Sequence, residues 1–184
     1  MGGVEIEMSM LFADVRGSTS LAERMSPFEF NKILNRFYKT ATDVLVRSDA
    51  FVDKLVGDEV IGLYIPAFAG PDHSRIAIES GKDLLRATGH GSQGGPWIPI
   101  GIGVNTGMAF YGSVGTKESF QDVTALGDSV NITARLAQRA GAGEIIVSDT
   151  SCSAAGLSVN GLEERRLNLK GKSKPVHVRV LRLT

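Results

Sequence analysis

Apolar residues run almost unbroken from Met8 to Ala13 and then stop at one carboxylate, Asp14. Val4 to Ala13 alternates loosely and reads as a buried strand. Ser20-Leu-Ala-Glu23 and Ser26-Pro-Phe-Glu29 are two capping boxes in succession, the second with Pro27 at the first helical position. The first predicts a short helix and the second a long one. Along the long one Phe30, Ile33, Leu34, Phe37, Ala41, Val44 and Leu45 recur at helical spacing, so it is amphipathic and its aromatic residues are core. Residues 50–56 and 60–65 read as two strands joined through Gly57-Asp58-Glu59, a hairpin signal. Pro66 to Pro71 reads as a loop, and Asp72 to Thr88 as a helix with Ile76, Ala77, Leu84 and Leu85 inward.

Gly89 to Pro96 is a glycine-rich connector without the spacing of a dinucleotide fingerprint. His73 and His90, at a helix start and in this connector, read as solvated, and His177 as structural in the last strand. Ile98 to Val104 is β-rich, and Gly101, Gly103 and Gly107 mark a strand against which something packs closely. Met108 to Val114 and Ser119 to Leu126 read as a second hairpin around Gly115-Thr116-Lys117-Glu118. Gly127-Asp128 opens a helix running to Ala140, with Gly141 as its stop. Glu144 to Ser148 is a short strand, and Val159 to Leu169 with Val176 to Leu183 form a last hairpin. The order βααββαβ, then strand, helix and hairpin, predicts a two-layer α+β sandwich with a split β-α-β core, as one domain over 1–184.

Charge is balanced at 20 basic and 20 acidic residues, which argues against a nucleic-acid polymer as partner and leaves free nucleotides open. Cys152 is the single cysteine, so neither an intrachain disulfide nor a thiolate metal cluster can form. That suits a reducing, cytoplasmic setting. No apolar run approaches the ~20 residues that span a bilayer. Strand-like sequence begins within a few residues of Met1, so the chain reads as a catalytic piece of a longer protein, whose remainder could carry a membrane anchor or a regulatory domain.

Several residues ask for chemistry. Asp14 ends a strand, and Gly17, Ser18 and Thr19 turn the chain into a helix. Backbone N–H groups at such a turn attract phosphate, and the carboxylate can hold a hard cation such as Mg²⁺ against it. An ordinary turn with Asp14 as a cap is the other local reading. Asp58 is likewise placed at a strand end, and Lys54 lies inside an otherwise apolar strand, as a functional group or an edge-strand lysine that discourages aggregation. Asn131 and Arg135, four apart, share a helix face. The two lysines of Leu169-Lys170-Gly171-Lys172 flank a turn, solvated or acting as an anion clamp.

Together FADVRGST at 12–19, KLVGDE at 54–59, GIGVNTG at 101–107, TALGDSVNITAR at 124–135 and LKGK at 169–172 resemble the catalytic domain of class III nucleotidyl cyclases, across nearly the whole chain. The resemblance implies the nucleotide cyclase fold, with a ferredoxin-like (palm-like) βαββαβ core. It makes Asp14 and Asp58 the metal carboxylates and the Val15 carbonyl a further metal ligand, for two divalent cations, Mg²⁺ or Mn²⁺. It puts phosphate at Gly17, Ser18 and Thr19 and the purine at Lys54. Asn131 is implied to orient the ribose, Arg135 to stabilise the transition state, and Lys170 to hold the terminal phosphates. Lys54 is the adenylate cyclase residue at its position. The second purine position carries Thr124 in place of the commoner Asp, as in bacterial subclass IIIb adenylate cyclases.

The implied reaction is attack of the ATP 3′-hydroxyl on the α-phosphorus, giving 3′,5′-cyclic AMP and pyrophosphate. The implied assembly is a homodimer in which each site takes its metal aspartates from one subunit and its Asn/Arg helix from the other. Two alternatives stand beside it: a guanylate cyclase, because a threonine hydroxyl both donates and accepts, and a silent nucleotide-binding or dimerisation module. The Gly57-Asp58-Glu59 turn also resembles that of the diguanylate cyclases, which leaves the block at 124–135 and LKGK unexplained.

Overall fold

The computed structural model describes residues 2–115 and 121–183, with the backbone alone at Val56 and Gln121. In chain order the elements are β1 (Gly3–Val15), α1 (Ser18–Arg24), α2 (Pro27–Arg47), β2 (Phe51–Val56), β3 (Glu59–Tyr64), α3 (Pro66–Ala69), α4 (His73–Ala87), β4 (Ile100–Gly115), β5 (Gln121–Leu126), α5 (Asp128–Arg139), β6 (Ile145–Ser148), α6 (Asp149–Ala154), β7 (Glu163–Leu167) and β8 (Val176–Leu181). They form one mixed sheet in the order β2-β3-β1-β4-β6-β8-β7, with β5 on the far half of β4. The run β2-β3-β1-β4 is antiparallel throughout and forms the expected βαββαβ core.

Strand β1 explains its own near-continuous apolar sequence. Leu11, Ala13 and Val15 enter a core shared with Phe37, Ala41, Val44 and Leu45 of α2 and with Ala77, Ile78, Leu84 and Leu85 of α4. Met8, Met10 and Phe12 enter a second core with Ala137 of α5. Alternate side chains thus meet helices on opposite faces, and both faces are dry. Asp14 continues the second series, which brings it to the α5 side of the sheet.

The Ser26–Glu29 capping box forms in full, with Pro27 opening α2. The other capping box does not form. Helix α1 begins three residues earlier, capped by Gly17 at φ 67° in place of Ser20, and places Ser20 inside the helix. The stretch expected to be a loop at Pro66–Pro71 holds α3. The short helix α6 follows a Ser148 cap that the sequence pattern did not reveal. The largest difference is β4, one strand of 16 residues in place of two. Its polar Asn105-Thr106-Gly107 centre looks like a break, yet β1 pairs with it continuously from Gly3↔Gly112 to Val15↔Ile100. The turn expected around residues 115–118 lies outside the described residues from 116 onward, as does Ser119.

The β4 glycines do receive a close neighbour. A side chain at Gly103 would lie 2.4 Å from the Ala137 nitrogen and 2.7 Å from the Thr133 carbonyl oxygen, and one at Gly101 would lie 2.6 Å from the Ala140 carbonyl oxygen. Helix α5 therefore rests directly on strand backbone. His73 and His90 are buried, contrary to the solvated reading. His73 shares a hydrogen bond of 2.9 Å with Ser9 inside a cluster of hydroxyls. His90 accepts from the Ile100 N–H at 3.2 Å and so pins the glycine-rich connector to the start of β4.

Candidate active site

The first group of candidate residues gathers where β1 ends. Asp14 lies opposite Glu59 in the β1–β3 register, and the Val15 N–H donates to the Asp58 carbonyl at 3.0 Å. Three carboxylates therefore meet at one end of the sheet. Burial pushes the Asp14 carboxyl up; the Arg16 charge opposes this and Asp58 adds to it. Burial, then the charges of Asp14 and Asp58, push Glu59 up to about 7. Such a concentration of half-buried negative charge is an electrostatic reason to attract a cation.

Neighbouring groups hold this cluster in shape. Arg16 pairs with Asp14 and also donates to the carbonyls of Gln138 at 3.0 Å and Ala140 at 3.3 Å, the C-terminal end of α5. One guanidinium thereby serves a carboxylate and the negative end of a helix. The Ser18 hydroxyl donates to Asp58, and the Tyr38 hydroxyl to the Gly57 carbonyl. Gly17 is left-handed and caps α1 without a side-chain hydrogen bond, so the first N–H groups of α1, at Ser18 and Thr19, receive no side-chain cap. Ser18, Thr19, Gly57 and Asp58 line a cavity of about 460 Å³ whose other walls are Ala22, Phe30 and Leu34.

The second group lies on β2 and β5. Lys54 Nζ donates to Thr124 Oγ1 at 3.0 Å, joining residues 70 apart in sequence. Two carboxylates that the sequence reading did not single out complete it. The Thr124 hydroxyl donates to Asp53 Oδ2 at 3.0 Å, and Lys54 stands 3.2 Å from Asp122 and 3.7 Å from Asp53. Burial pushes the Asp53 carboxyl up, opposed by the Thr124 hydrogen bond and the Lys54 charge. Strict alternation would send Asp53 and Lys54 to opposite faces. The β2–β3 register slips between Val52 and Lys54, leaving Asp53 as the extra residue of a bulge that turns both side chains toward Thr124.

The third group is on α5 and the β7–β8 connection. Asn131 is exposed and Arg135 half-buried, one turn apart. Lys172 is tied to Asp128 at the start of α5. Lys170 is exposed, and a side chain at the adjacent Gly171 would lie 3.9 Å from Arg135 Nη1. Among the described residues the side chains of Asn131, Arg135 and Lys170 have no hydrogen-bond or ion-pair partner, and none reaches Asp14 or Asp58. One chain thus assembles three separate groups.

Among the described residues no cluster of three or more His, Cys, Asp or Glu side chains has the geometry of a closed metal site. Asp14 and Asp58 offer the oxygen donors that Mg²⁺ and Mn²⁺ take, and such ions keep waters and bind substrate phosphates instead of filling an all-protein cage.

The chain matches the family model for the adenylate and guanylate cyclase catalytic domain over residues 5–181, and it belongs to that family. An adenylate cyclase of Anabaena cylindrica is 29% identical over 182 residues, covering 93% of this chain and 36% of its own length. A terminal-differentiation adenylate cyclase of Dictyostelium discoideum is also 29% identical, over 93% of this chain and 8% of its own. This chain therefore spans about a third or less of these relatives. Among solved structures, the guanylyl cyclase Cya2 superposes with a TM-score of 0.84 at 29% identity, over 98% of this chain and 93% of that one. The adenylyl cyclase CyaB of P. aeruginosa gives 0.83 at 24% identity, over 100% and 98%, and shares the fold. The α+β nucleotide cyclase fold expected from the motifs is the one found. No helix among the described residues is long and apolar enough to cross a membrane.

Proposed function

We propose that residues 1–184 form an adenylate cyclase domain that converts ATP to 3′,5′-cyclic AMP and pyrophosphate in a homodimer with shared sites. The observation that carries the choice of base is the contact of Lys54 with Thr124. The lysine donates to the unprotonated N1 of adenine, and the threonine accepts from the 6-amino group. Guanine presents N1–H and a 6-oxo group there, the opposite polarity. The Anabaena and Dictyostelium relatives, both adenylate cyclases by name, point the same way; Cya2, a guanylyl cyclase at the same identity, keeps GTP as the second reading.

In this reading Asp14, Asp58 and the Val15 carbonyl would hold the divalent cations. Bound there, Mg²⁺ or Mn²⁺ would supply activation of the 3′-hydroxyl and neutralisation of phosphate charge. The α1 N-terminus at Gly17, Ser18 and Thr19 receives phosphate oxygens through backbone N–H groups. From the second subunit, Asn131 holds the ribose so that its 3′-oxygen lines up with the α-phosphorus. Arg135 follows the charge that builds on the equatorial phosphate oxygens, and Lys170 holds the departing pyrophosphate. The P–O bond to pyrophosphate breaks as the bond to the 3′-oxygen forms.

The separation of the acidic group from Asn131, Arg135 and Lys170 supports assembly of each site from two copies about a two-fold axis. Exposed Val4, Leu55, Met108, Val123 and Leu126 give the sheet apolar surface for a second copy to cover. The chain's share of its relatives supports a regulatory region outside it, and charge balance with a lone buried cysteine supports a cytoplasmic domain without a nucleic-acid partner. Product formation from ATP and from GTP, with Mn²⁺ and Mg²⁺ across protein concentrations, tests the reading. Cyclic AMP with specific activity rising with concentration is expected. Cyclic GMP as the main product, or no cyclic product, overturns it.

A further inference from the structure

The bulge in β2 adds a third side chain to the Lys54–Thr124 pair, and its place in the hydrogen-bond chain has a consequence for selectivity. We propose that Asp53 is a positioning residue for base choice: it takes the Thr124 hydroxyl proton, so that Thr124 offers the base only a lone pair and favours a 6-aminopurine over a 6-oxopurine. The inference rests on the reading of Lys54 and Thr124 as the base-contacting groups.

A threonine hydroxyl has one proton and two lone pairs. An ammonium cannot accept, so the 3.0 Å contact from Lys54 uses one lone pair. An ionised carboxylate cannot donate, so the 3.0 Å contact with Asp53 uses the proton. One lone pair remains. A hydroxyl with both roles open serves an amino group or a carbonyl equally well; one fixed in this way can only accept. Thr124 then presents to a base what a carboxylate at its position would present, without adding a charge beside the base.

The surroundings make this arrangement firm. The Asp53 side chain is 5% exposed and Thr124 is 5% exposed, so water does not compete for the proton. Lys54 stands 3.7 Å from Asp53 and keeps a positive charge beside the carboxylate. Asp122, 3.2 Å from Lys54 and one-third exposed, shares the ammonium but makes no contact with the Thr124 hydroxyl. Asp53 Oδ1 is buried with no partner among the described residues, so the Thr124 proton is the hydrogen bond available to this carboxylate apart from Lys54. The bulge that brings Asp53 in is a device that re-aims side chains beside active sites.

Equilibrium dialysis of 3′-deoxy-ATP and 3′-deoxy-GTP, which lack the attacking hydroxyl, reads base preference without turnover. In the wild-type protein the adenine analogue binds more tightly. Asp53→Ala lowers the ratio of the two affinities about tenfold, the scale of one oriented hydrogen bond. Asp53→Asn, whose carbonyl oxygen Lys54 holds toward Thr124, keeps most of the preference. In a Thr124→Val background, with no hydroxyl to orient, Asp53→Ala leaves the ratio unchanged. Asp53→Leu, near-isosteric and without an acceptor, gives the same readout should the alanine variant not fold. Equal weakening of both analogues by Asp53→Ala, or an undiminished shift in the Thr124→Val background, overturns the inference. Product identity from ATP and GTP decides the underlying adenylate cyclase reading separately.

Discussion

The Val15 N–H donates to the Asp58 carbonyl at 3.0 Å, and this bond fixes the end of β1 against the β2–β3 turn. It holds the carboxylates of Asp14 and Asp58 close enough that Asp58 raises the proton affinity of Asp14. Such a pair is unfavourable for folding and useful for cations. Asp14→Asn and Asp58→Asn are each expected to lower cyclase activity by at least ~10²-fold, while the melting temperature stays level or rises. Activity with Mn²⁺ alongside thermal unfolding checks this. Loss of activity together with a large fall in stability would make these aspartates structural.

Arg135→Ala is expected to cost about 10³-fold in turnover, the scale of a transition-state arginine, with little change in nucleotide affinity. Mixed with Asp14→Asn, it should recover activity. Half of randomly re-paired dimers are mixed, and one of their two sites is intact, so recovery approaches about a quarter of wild type. Two inactive variants that stay inactive after verified subunit exchange would show that the sites are not shared.

Gly103→Ala should destabilise the domain by about 1–3 kcal/mol, the range for overpacking, because its methyl group would meet the Ala137 and Thr133 backbone rather than movable side-chain ends. The helix it displaces carries Asn131 and Arg135, so activity should fall further than stability alone explains. Urea midpoints and specific activity measured on the same preparation test both parts.

Glu144 accepts from both Arg165 Nη atoms at 2.8 and 2.7 Å, from the Gly141 N–H at 2.9 Å and from Arg182. The Arg165 hydrogen bonds come first in holding its carboxyl down at about 2. A carboxyl depressed in the folded state stabilises above its ordinary value of 4.5, and that contribution is lost as pH falls from about 5 toward 2. Screened by solvent, it amounts to roughly 2 kcal/mol. Glu144→Gln should lower stability at pH 7 and flatten its acid dependence, read from unfolding free energies between pH 3 and 7. An unchanged acid slope would sink the assignment.

Much of the site could be read locally. The carboxylate ending an apolar run, the Gly57-Asp58 turn, the four-residue spacing of Asn131 and Arg135, and the Ser26–Glu29 cap are each properties of a few neighbouring residues, and each element formed where its pattern lay. Other features had no local signal. Arg16 reaches a helix end 122 residues away, which no spacing in its own segment announces. His73 looks like a polar helix start until Ser9 of β1 arrives as its partner.

The sequence by itself determined the strands β1, β2, β3, β6 and β8 and the helices α2, α4 and α5, because alternation, helical periodicity and capping act within a few residues. It also carried the strand-end carboxylates Asp14 and Asp58 and the lysine within β2. The tertiary structure alone decided that β4 is one strand, because β1 supplies partners from Ile100 to Gly112, straight across the polar centre. It alone decided that Asp53 joins Lys54 and Thr124, because a bulge is a mismatch between two strands and belongs to neither sequence separately.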